Sequence, residues 1–372
     1  MRVTIERSEF LKSLNHVQSV VERRNTIPIL SNVLLQADGQ KIKLTATDLD
    51  IEVVETATAE VGQGGGTTAP AHMLYDIIRK LPDGAQLEIE QGPDDHRLAV
   101  RCGRSQFSLQ ALPSEDFPDL SAGELEHKFS LPADDLKRLI EKTRFAISTE
   151  ETRYYLNGIY LHEVEVDGRP TLRAVATDGH RLAQVQLPLP EGAAGMPGVI
   201  VPRKTVSELH KLIEDRDGEI DVALSSSKIL FSLGAVVLTS KLIDGTFPDY
   251  ERVIPKDNDK TMEVDAKLFA QAVDRVSTIS SEKGRAVKLN IDGDKLTLSV
   301  NNPDSGSAEE ELVASYESEA LDIGFNARYL LDITGQLDTD NASFLLADAG
   351  SPTIVRDKGD DTALYVLMPM RV

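Results

Sequence analysis

The 372-residue sequence has a single cysteine, no tryptophan and few aromatic residues of any kind. Cys102 alone cannot form an internal disulfide, and its isolation fits a reducing compartment, so a cytoplasmic protein is expected. No apolar run approaches the roughly 18 residues of a membrane-spanning helix. The opening MRVTIERSEF lacks the apolar centre of a signal peptide. Catalytic signatures are missing as well. The glycine-rich stretch at 61–69 is not followed by Gly-Lys-Ser/Thr, so it is no P-loop and reads as a hairpin tip. Asp292-Gly-Asp294 lacks the rest of an EF-hand and reads as a hairpin turn. No Ser-His-Asp order, metal-binding histidine pair or nucleotide fingerprint occurs, and Cys102 has no evident base. We therefore expect neither an enzyme nor a bound metal or cofactor. Positive charge is also scarce: 40 Lys and Arg against 61 Asp and Glu leave a net charge of −21, which on average opposes a nucleic-acid partner.

What the sequence does contain is one pattern three times. At 129–148 a short alternating run (Phe129, Leu131) meets Pro132 at a helix start, with Asp134 and Asp135 in the first turn, where the helix dipole favours anions. Leu136, Leu139, Ile140, Thr143 and Ile147 follow at helical spacing. Upstream, Val3 and Ile5 lead into a helix striped by Phe10, Leu14, Val17 and Val21; downstream, Met262 and Val264 lead into one striped by Leu268, Ala272, Val276 and Ile279. Ile5, Leu131 and Val264 lie 126 and 133 residues apart, which is domain spacing. Further anchors keep the order. Asp48, Asp178 and Asn302 end equivalent strands; Pro70, Pro202 and Asn326 open equivalent second helices; Phe117-Pro-Asp119 recurs as Phe247-Pro-Asp249. The pattern predicts an α+β chain of three tandem copies, each with two helices on antiparallel sheet, divided at 1–125, 126–253 and 254–372. Helices are expected at 7–24, 70–82, 132–147, 202–216, 265–283 and 326–337, and strands include 28–35 and 154–161.

These six helical segments hold 18 Lys and Arg against 13 Asp and Glu, a net +5, so the remainder carries −26. A cationic solvated face is the ordinary explanation for one helix. Four net-positive helices and none net-negative, against an acidic remainder, suggest segregated charge, which suits non-specific, salt-sensitive contact with phosphate. No zinc-ligand spacing, RNP aromatic set or recognition helix suggests sequence readout.

Several longer motifs are distinctive: Arg24 with Thr26-Ile-Pro-Ile-Leu-Ser-Asn32, Arg153-Tyr-Tyr-Leu-Asn-Gly158, Ala176-Thr-Asp-Gly-His-Arg-Leu-Ala183, Val201-Pro-Arg-Lys204, Thr239-Ser-Lys-Leu-Ile-Asp-Gly-Thr-Phe-Pro-Asp-Tyr250 and Tyr365-Val-Leu-Met-Pro-Met-Arg371. In order and along the whole chain, the sequence resembles the bacterial DNA polymerase III beta subunits, the replicative sliding clamps. The resemblance implies two chains closed head-to-tail into a homodimeric six-domain ring, with helices lining the hole and sheets outside. It implies duplex DNA held without sequence specificity. It further implies as partners the DNA polymerase III alpha subunit, an ATP-dependent clamp loader, and other polymerases and repair proteins with clamp-binding peptides.

Two sites carry over by position. The resemblance puts a partner-peptide cleft between the second and third domains at Arg153, Leu156, Thr177, Gly179, His180, Arg181, Leu182, Pro248, Arg252, Val253, Val366, Met368, Pro369, Met370 and Arg371. Leu, Val and Met make an adaptable apolar pocket, while Arg fixes a peptide's polar ends. It puts DNA contacts at Arg24, His72, Glu150, Tyr154, Tyr155, Arg203 and Lys204. The chain departs from the family pattern at His72-Met73, where basic residues stand in the best-known members, and at Glu150, where a neutral amide can occur. Glu150 repels phosphate and Met73 cannot pair with it. Gly284 stands where an aromatic can occur, opening one pocket wall. The dimer interface is expected between first and third domains, with Phe107, Leu109 and Ile279 as contributors. The alternative reading is an acidic, non-enzymatic repeat scaffold that does not bind DNA; the helix charge bias counts against it.

Overall fold

Short apolar alternations become strands throughout the computed structural model, which describes residues 1–92, 96–120, 123–280 and 285–371. The first third contributes β1 (Arg2–Glu6), α1 (Arg7–Gln18), β2 (Asn32–Asp38), β3 (Lys41–Thr47), β4 (Ile51–Thr58), β5 (Glu60–Gln63) and β6 (Gly65–Pro70). It continues with α2 (Ala71–Arg79), β7 (Gln86–Gln91), β8 (Arg97–Cys102) and β9 (Ser105–Gln110). The second third has β10 (His127–Pro132), α3 (Ala133–Glu141), β11 (Gly158–Val166), β12 (Arg169–Thr177) and β13 (Arg181–Pro188). After these come β14 (Val199–Pro202), α4 (Arg203–Ile213), β15 (Glu219–Leu224), β16 (Lys228–Leu233) and β17 (Val236–Lys241). The last third repeats the order with β18 (Lys260–Asp265), α5 (Ala266–Ser277), β19 (Ala286–Asp292), β20 (Lys295–Asn302) and β21 (Gly306–Tyr316). It ends with β22 (Leu321–Asn326), α6 (Ala327–Thr334), β23 (Asn341–Leu346), β24 (Thr353–Asp357) and β25 (Ala363–Leu367). Ile5, Leu131 and Val264 thus sit on β1, β10 and β18, each just before a helix.

The strands assemble into two compact units. One comprises Met1–Asp134, Pro190–Pro197 and Lys204–Leu242; the other comprises Asp135–Leu189, Gly198–Arg203 and Ile243–Val372. The first holds a five-stranded sheet, β5-β1-β7-β8-β9, and an eight-stranded one, β10-β15-β16-β17-β4-β3-β2-β6. The second holds a 12-stranded array, β14-β11-β12-β13-β25-β24-β23-β18-β21-β20-β19-β22. The middle third is divided because β17 pairs with β4, Leu238 opposite Val53, while β13 pairs with β25, Leu182 opposite Val366. Three sequence repeats therefore become two packed units.

Apolar stripes supply the cores. Phe10, Leu14, Leu35, Ile42, Leu44, Leu74 and Ile78 are fully buried in the first unit. In the second, Phe269 and Phe344 meet edge-on, centroids 5.2 Å apart, a favoured arrangement for aromatic quadrupoles. Helix ends are satisfied by tertiary partners. Arg7 reaches from α1 to the end of α2, its Nε donating to the Ile78 carbonyl at 3.0 Å and its Nη2 to that of Arg79 at 2.5 Å. A cation is thereby placed at the negative end of the α2 dipole.

Four expectations are corrected. The first helix ends at Gln18, not near 24: Val20 and Val21 bond back three residues, to Val17 and Gln18, and the Val21 carbonyl is taken by His72. The stretch at 28–35 begins as a 3-10 turn, Pro28–Ser31, because proline fixes the backbone and offers no donor to a ladder. The glycine-rich stretch is no hairpin tip. It is the crossing from β5, paired with β1, to β6, paired with β2 in the other sheet. Gly65 makes the turn at φ 142°. Finally, Glu151–Leu156 is a 3-10 segment and not the start of a strand. Its Tyr pair favours β structure, but Ser148 closes the loop by donating to the Leu156 carbonyl at 3.1 Å.

Candidate functional site

The β12–β13 turn organises several of the residues expected at the peptide cleft. Thr177 Oγ1 donates to the Arg181 carbonyl at 2.7 Å and accepts from Gly179 N at 3.1 Å. Asp178 Oδ1 accepts from His180 N and Arg181 N at 2.9 and 3.1 Å. The same bonds recur at the β3–β4 turn, from Thr47 and Asp48 to Leu49, Asp50 and Ile51. The Thr-Asp pair that aligned the repeats is therefore a turn-forming device, with Ser/Thr and Asx motifs nested together.

Around this turn lies an apolar cluster. Leu156, Leu182 and Val366 are buried in it with Phe247 and Tyr250. Two neighbouring apolar side chains stay in solvent: Val253, closing the 3-10 turn Tyr250–Val253, is 49% exposed, and Met368, just past β25, is 40% exposed. Past β25, Met368 N donates to the His180 carbonyl at 3.0 Å and Met370 N to Gly324 O at 2.7 Å. Pro248, Arg252 and Arg371 are exposed, and Pro369 and Met370 are half-buried. Arg252 pairs with Asp249 at 2.7 Å, and Arg153 with Glu150 at 2.7 Å. The arrangement gives an apolar base, an exposed methionine and two guanidiniums, a combination suited to a short apolar peptide.

Arg181 is committed to partners within the chain. Its side chain is buried, with Nη1 on Asp332 at 2.5 Å, Nη2 on the Phe145 carbonyl at 2.6 Å and Nε on Asp178 at 3.2 Å. Its Cζ also lies 4.3 Å from the Tyr329 ring centroid. Arg181 clips β13 to α6. Gly284 lies outside the described residues.

A buried polar set supports the same cluster. Arg173 Nη1 donates to Tyr250 Oη at 2.9 Å and to Glu251 at 3.0 Å, while His162 Nε2 lies 3.0 Å from that hydroxyl. Burial, then the neighbouring Arg173 charge, lowers the His162 pKa from 6.5 to about 4, so the ring is neutral near pH 7. Nothing in the local sequence of His162 or Tyr250 signals this contact, which spans 88 residues.

The DNA-contact candidates fall into two groups. Arg24 and Arg203 are exposed and make no ion pair with a described residue. Tyr154 is 52% exposed, with Tyr155 half-buried against its edge at 5.7 Å. The others are engaged. The His72 ring nitrogens sit 2.8 Å from Gln18 Oε1 and 2.8 Å from the Val21 carbonyl, tying α2 to the end of α1. Lys204 is bound by Asp48 and, at 3.2 Å, by Glu22. Partial burial alone would lower its pKa, but these carboxylates hold the ammonium above its usual range. Glu150 is held below the usual carboxylate range by its hydrogen bond from Arg153. Arg7, Arg79, Arg138, Lys142, Lys211 and Arg275 also form ion pairs. Counting helix cations therefore overstates the charge free for phosphate: Arg79 and Lys211 pair within their own helices, while Arg7, Arg138, Lys142 and Arg275 pair with carboxylates on other segments.

Of the interface candidates, Leu109 is buried, whereas Phe107 and Ile279 are half-buried. Asp292 and Lys295 pair across the β19–β20 hairpin, with Gly293 at φ 58°, as the turn reading requires. Among the described residues no group of three or more His, Cys, Asp or Glu side chains suits a metal ion. No helix of the described residues is long and apolar enough to cross a membrane.

Models of the DNA polymerase III beta subunit match the chain three times: the N-terminal domain at 1–121, the central domain at 130–249 and the C-terminal domain at 251–371. The beta sliding clamp of Caulobacter vibrioides is 55% identical over 372 residues, covering 100% of both chains. That of Escherichia coli is 41% identical over 373 residues, again covering 100% of both. Among solved structures, a sliding clamp (DNA polymerase III subunit beta) from Bartonella birtlesii bound to griselimycin is 56% identical, with TM-score 0.98 and 100% of both chains covered. Its counterpart from Pseudomonas aeruginosa, also bound to griselimycin, is 42% identical with TM-score 0.95 over 100% of both chains. With all three domain models in order and relatives matched end to end, the chain belongs to the family of bacterial DNA polymerase III beta subunits, the beta sliding clamps.

Proposed function

We propose that this chain acts as a processivity factor with no catalytic site of its own. Two copies close head-to-tail into a ring around duplex DNA, and the ring tethers the replicative polymerase during synthesis. The observation that carries this reading is the end-to-end match to beta sliding clamps across all three domains. Domain limits at 1–125, 126–253 and 254–372 fit the repeat anchors. Topology holds DNA in such a ring, so tight phosphate contacts are unnecessary, which agrees with the engagement of Arg7, Arg79, Arg138, Lys142, Lys204, Lys211 and Arg275 in ion pairs within the chain. The tether acts by effective concentration: a polymerase that lets go is recaptured before it diffuses away.

The partner site is the surface around Val253 and Met368, with Arg153 and Arg252 at its rim. The alpha subunit of DNA polymerase III, an ATP-dependent loader and other polymerases and repair proteins use it in turn. Its mixture of flexible methionine and fixed apolar base suits a hub. Closure between copies uses the outer edge of β9, which among the described residues pairs with β8 alone and carries Phe107. The working compartment is the cytoplasm, at the nucleoid.

Small-angle scattering with mass determination on the same sample tests the ring. The expected result is the mass of two chains and the distance distribution of a hollow ring; a monomer at micromolar concentration removes the topological mechanism. For the cleft, Met368→Ser with Met370→Ser is expected to abolish binding of a polymerase-derived peptide while leaving the dimer mass intact. Unchanged peptide affinity would overturn the cleft assignment.

A further inference from the structure

The second unit contains a cavity of about 410 Å³ lined by Arg144, Arg181, Arg203 and Arg328, with Glu150 and Asp178 as its acidic side chains. Four guanidiniums on one concavity are unexpected in a chain carrying a net charge of −21. Accounting for their partners sharpens the point. Both Glu150 oxygens are taken by Arg153, Oε2 from Nε at 2.8 Å and Oε1 from Nη2 at 2.7 Å. Asp178 is taken by two backbone amides and by Arg181 Nε. Arg181 is further matched by Asp332 at 2.5 Å. The lining carboxylates are thus already spent.

Arg203 and Arg328 carry the surplus. Arg203 is exposed and has no ion pair with a described residue. Arg328 is 68% exposed, and its Nε lies 4.0 Å from Asp332, a carboxylate already bonded to Arg181. The two side chains come from the first turns of α4 and α6. Planar donors in a fixed fork match the oxygens of a tetrahedral anion better than lysine does.

We infer that this cavity is a phosphate seat, taking one phosphate group between Arg203 and Arg328 with Arg144 alongside. The group can come from a nucleic-acid backbone or from a free inorganic phosphate. This inference does not depend on ring closure, and its failure would leave the scattering test of the ring untouched.

Calorimetric titration of the full chain with pyrophosphate, in chloride buffer, tests the seat. Wild type is expected to bind saturably, one per chain, and Arg203→Gln and Arg328→Gln each to weaken binding about tenfold, the worth of one charge-assisted hydrogen bond. Lys80→Gln, which removes an exposed lysine outside the cavity lining, is expected to change nothing. Absence of saturable binding, or an unchanged affinity in the Arg203→Gln/Arg328→Gln double variant, overturns the proposal. Duplex binding across salt concentrations then identifies the source. A log–log slope shallower by about 0.9 per lost contact in the double variant assigns the seat to the DNA backbone. An unchanged slope with lost pyrophosphate binding assigns it to the free anion.

Discussion

Arg181 and Asp332 meet at 2.5 Å although 151 residues separate them in the chain. The pair joins the turn at 177–181 to α6, and the Arg181 guanidinium lies 4.3 Å from the Tyr329 ring centroid and 5.1 Å from that of Phe145. Asp332→Asn leaves Asp178 as the carboxylate still paired with the buried guanidinium. Losing one charge-assisted hydrogen bond of this kind costs about 2 kcal/mol. Urea unfolding should show that loss, and peptide affinity should fall as the 177–181 turn loses its anchor. Arg181→Lys should not restore either, since an ammonium cannot serve Asp178, Asp332 and the Phe145 carbonyl in one plane. Wild-type stability in Asp332→Asn would show the pair to be incidental.

The neutral His162 makes stability depend on pH in a calculable direction. Its folded pKa of about 4 lies below the ordinary 6.5, so in that window the unfolded chain takes up a proton that the folded chain refuses. Stability from this group is full above pH 6.5 and is lost as the pH falls toward 4. Between pH 7.5 and pH 5 the loss is about 2 kcal/mol. His162→Gln keeps a partner for the Tyr250 hydroxyl and removes the titration. The wild-type stability difference between these two pH values should exceed that of the variant by this amount. Equal differences would mean that the ring titrates normally.

The sequence made the repeats legible and the ion pairs illegible, for one physical reason. Strand and helix periodicity is local, so Ile5, Leu131 and Val264 marked β1, β10 and β18 without any knowledge of packing. The Thr47-Asp48 and Thr177-Asp178 turns were legible for the same reason, since their side chains bond within four residues. Lys204 and Asp48 are 156 residues apart, and His72 and Gln18 are 54 apart. Composition counts such side chains as free charge or free donors until the fold brings their partners in. Tyr154 and Tyr155 show the opposite failure: local β preference lost to a loop closed by Ser148 and Leu156.

The two Thr-Asp turns differ at one position, and that difference separates stability from binding. Leu49 holds φ 80° and Gly179 holds φ 88° in matching hydrogen-bond patterns. A leucine in this region is strained, so Leu49→Gly should stabilise the chain by about 1 kcal/mol, read as a higher urea midpoint with an unchanged slope. At Gly179 the reverse holds, and there is a second constraint. A Cβ there would lie 2.5 Å from Arg153 Nη1. That atom ends a flexible side chain, so Gly179→Ala displaces the guanidinium and parts it from Glu150 instead of unfolding the turn. The expected signature is a modest fall in stability, about 1 kcal/mol, with a larger loss of peptide affinity. Replacing Glu150 by Gln in the Gly179→Ala background should then cost little more, because the pair is already broken. If Gly179→Ala binds peptide as wild type does, Arg153 plays no part in the partner site, and only the apolar residues around Met368 remain to define it.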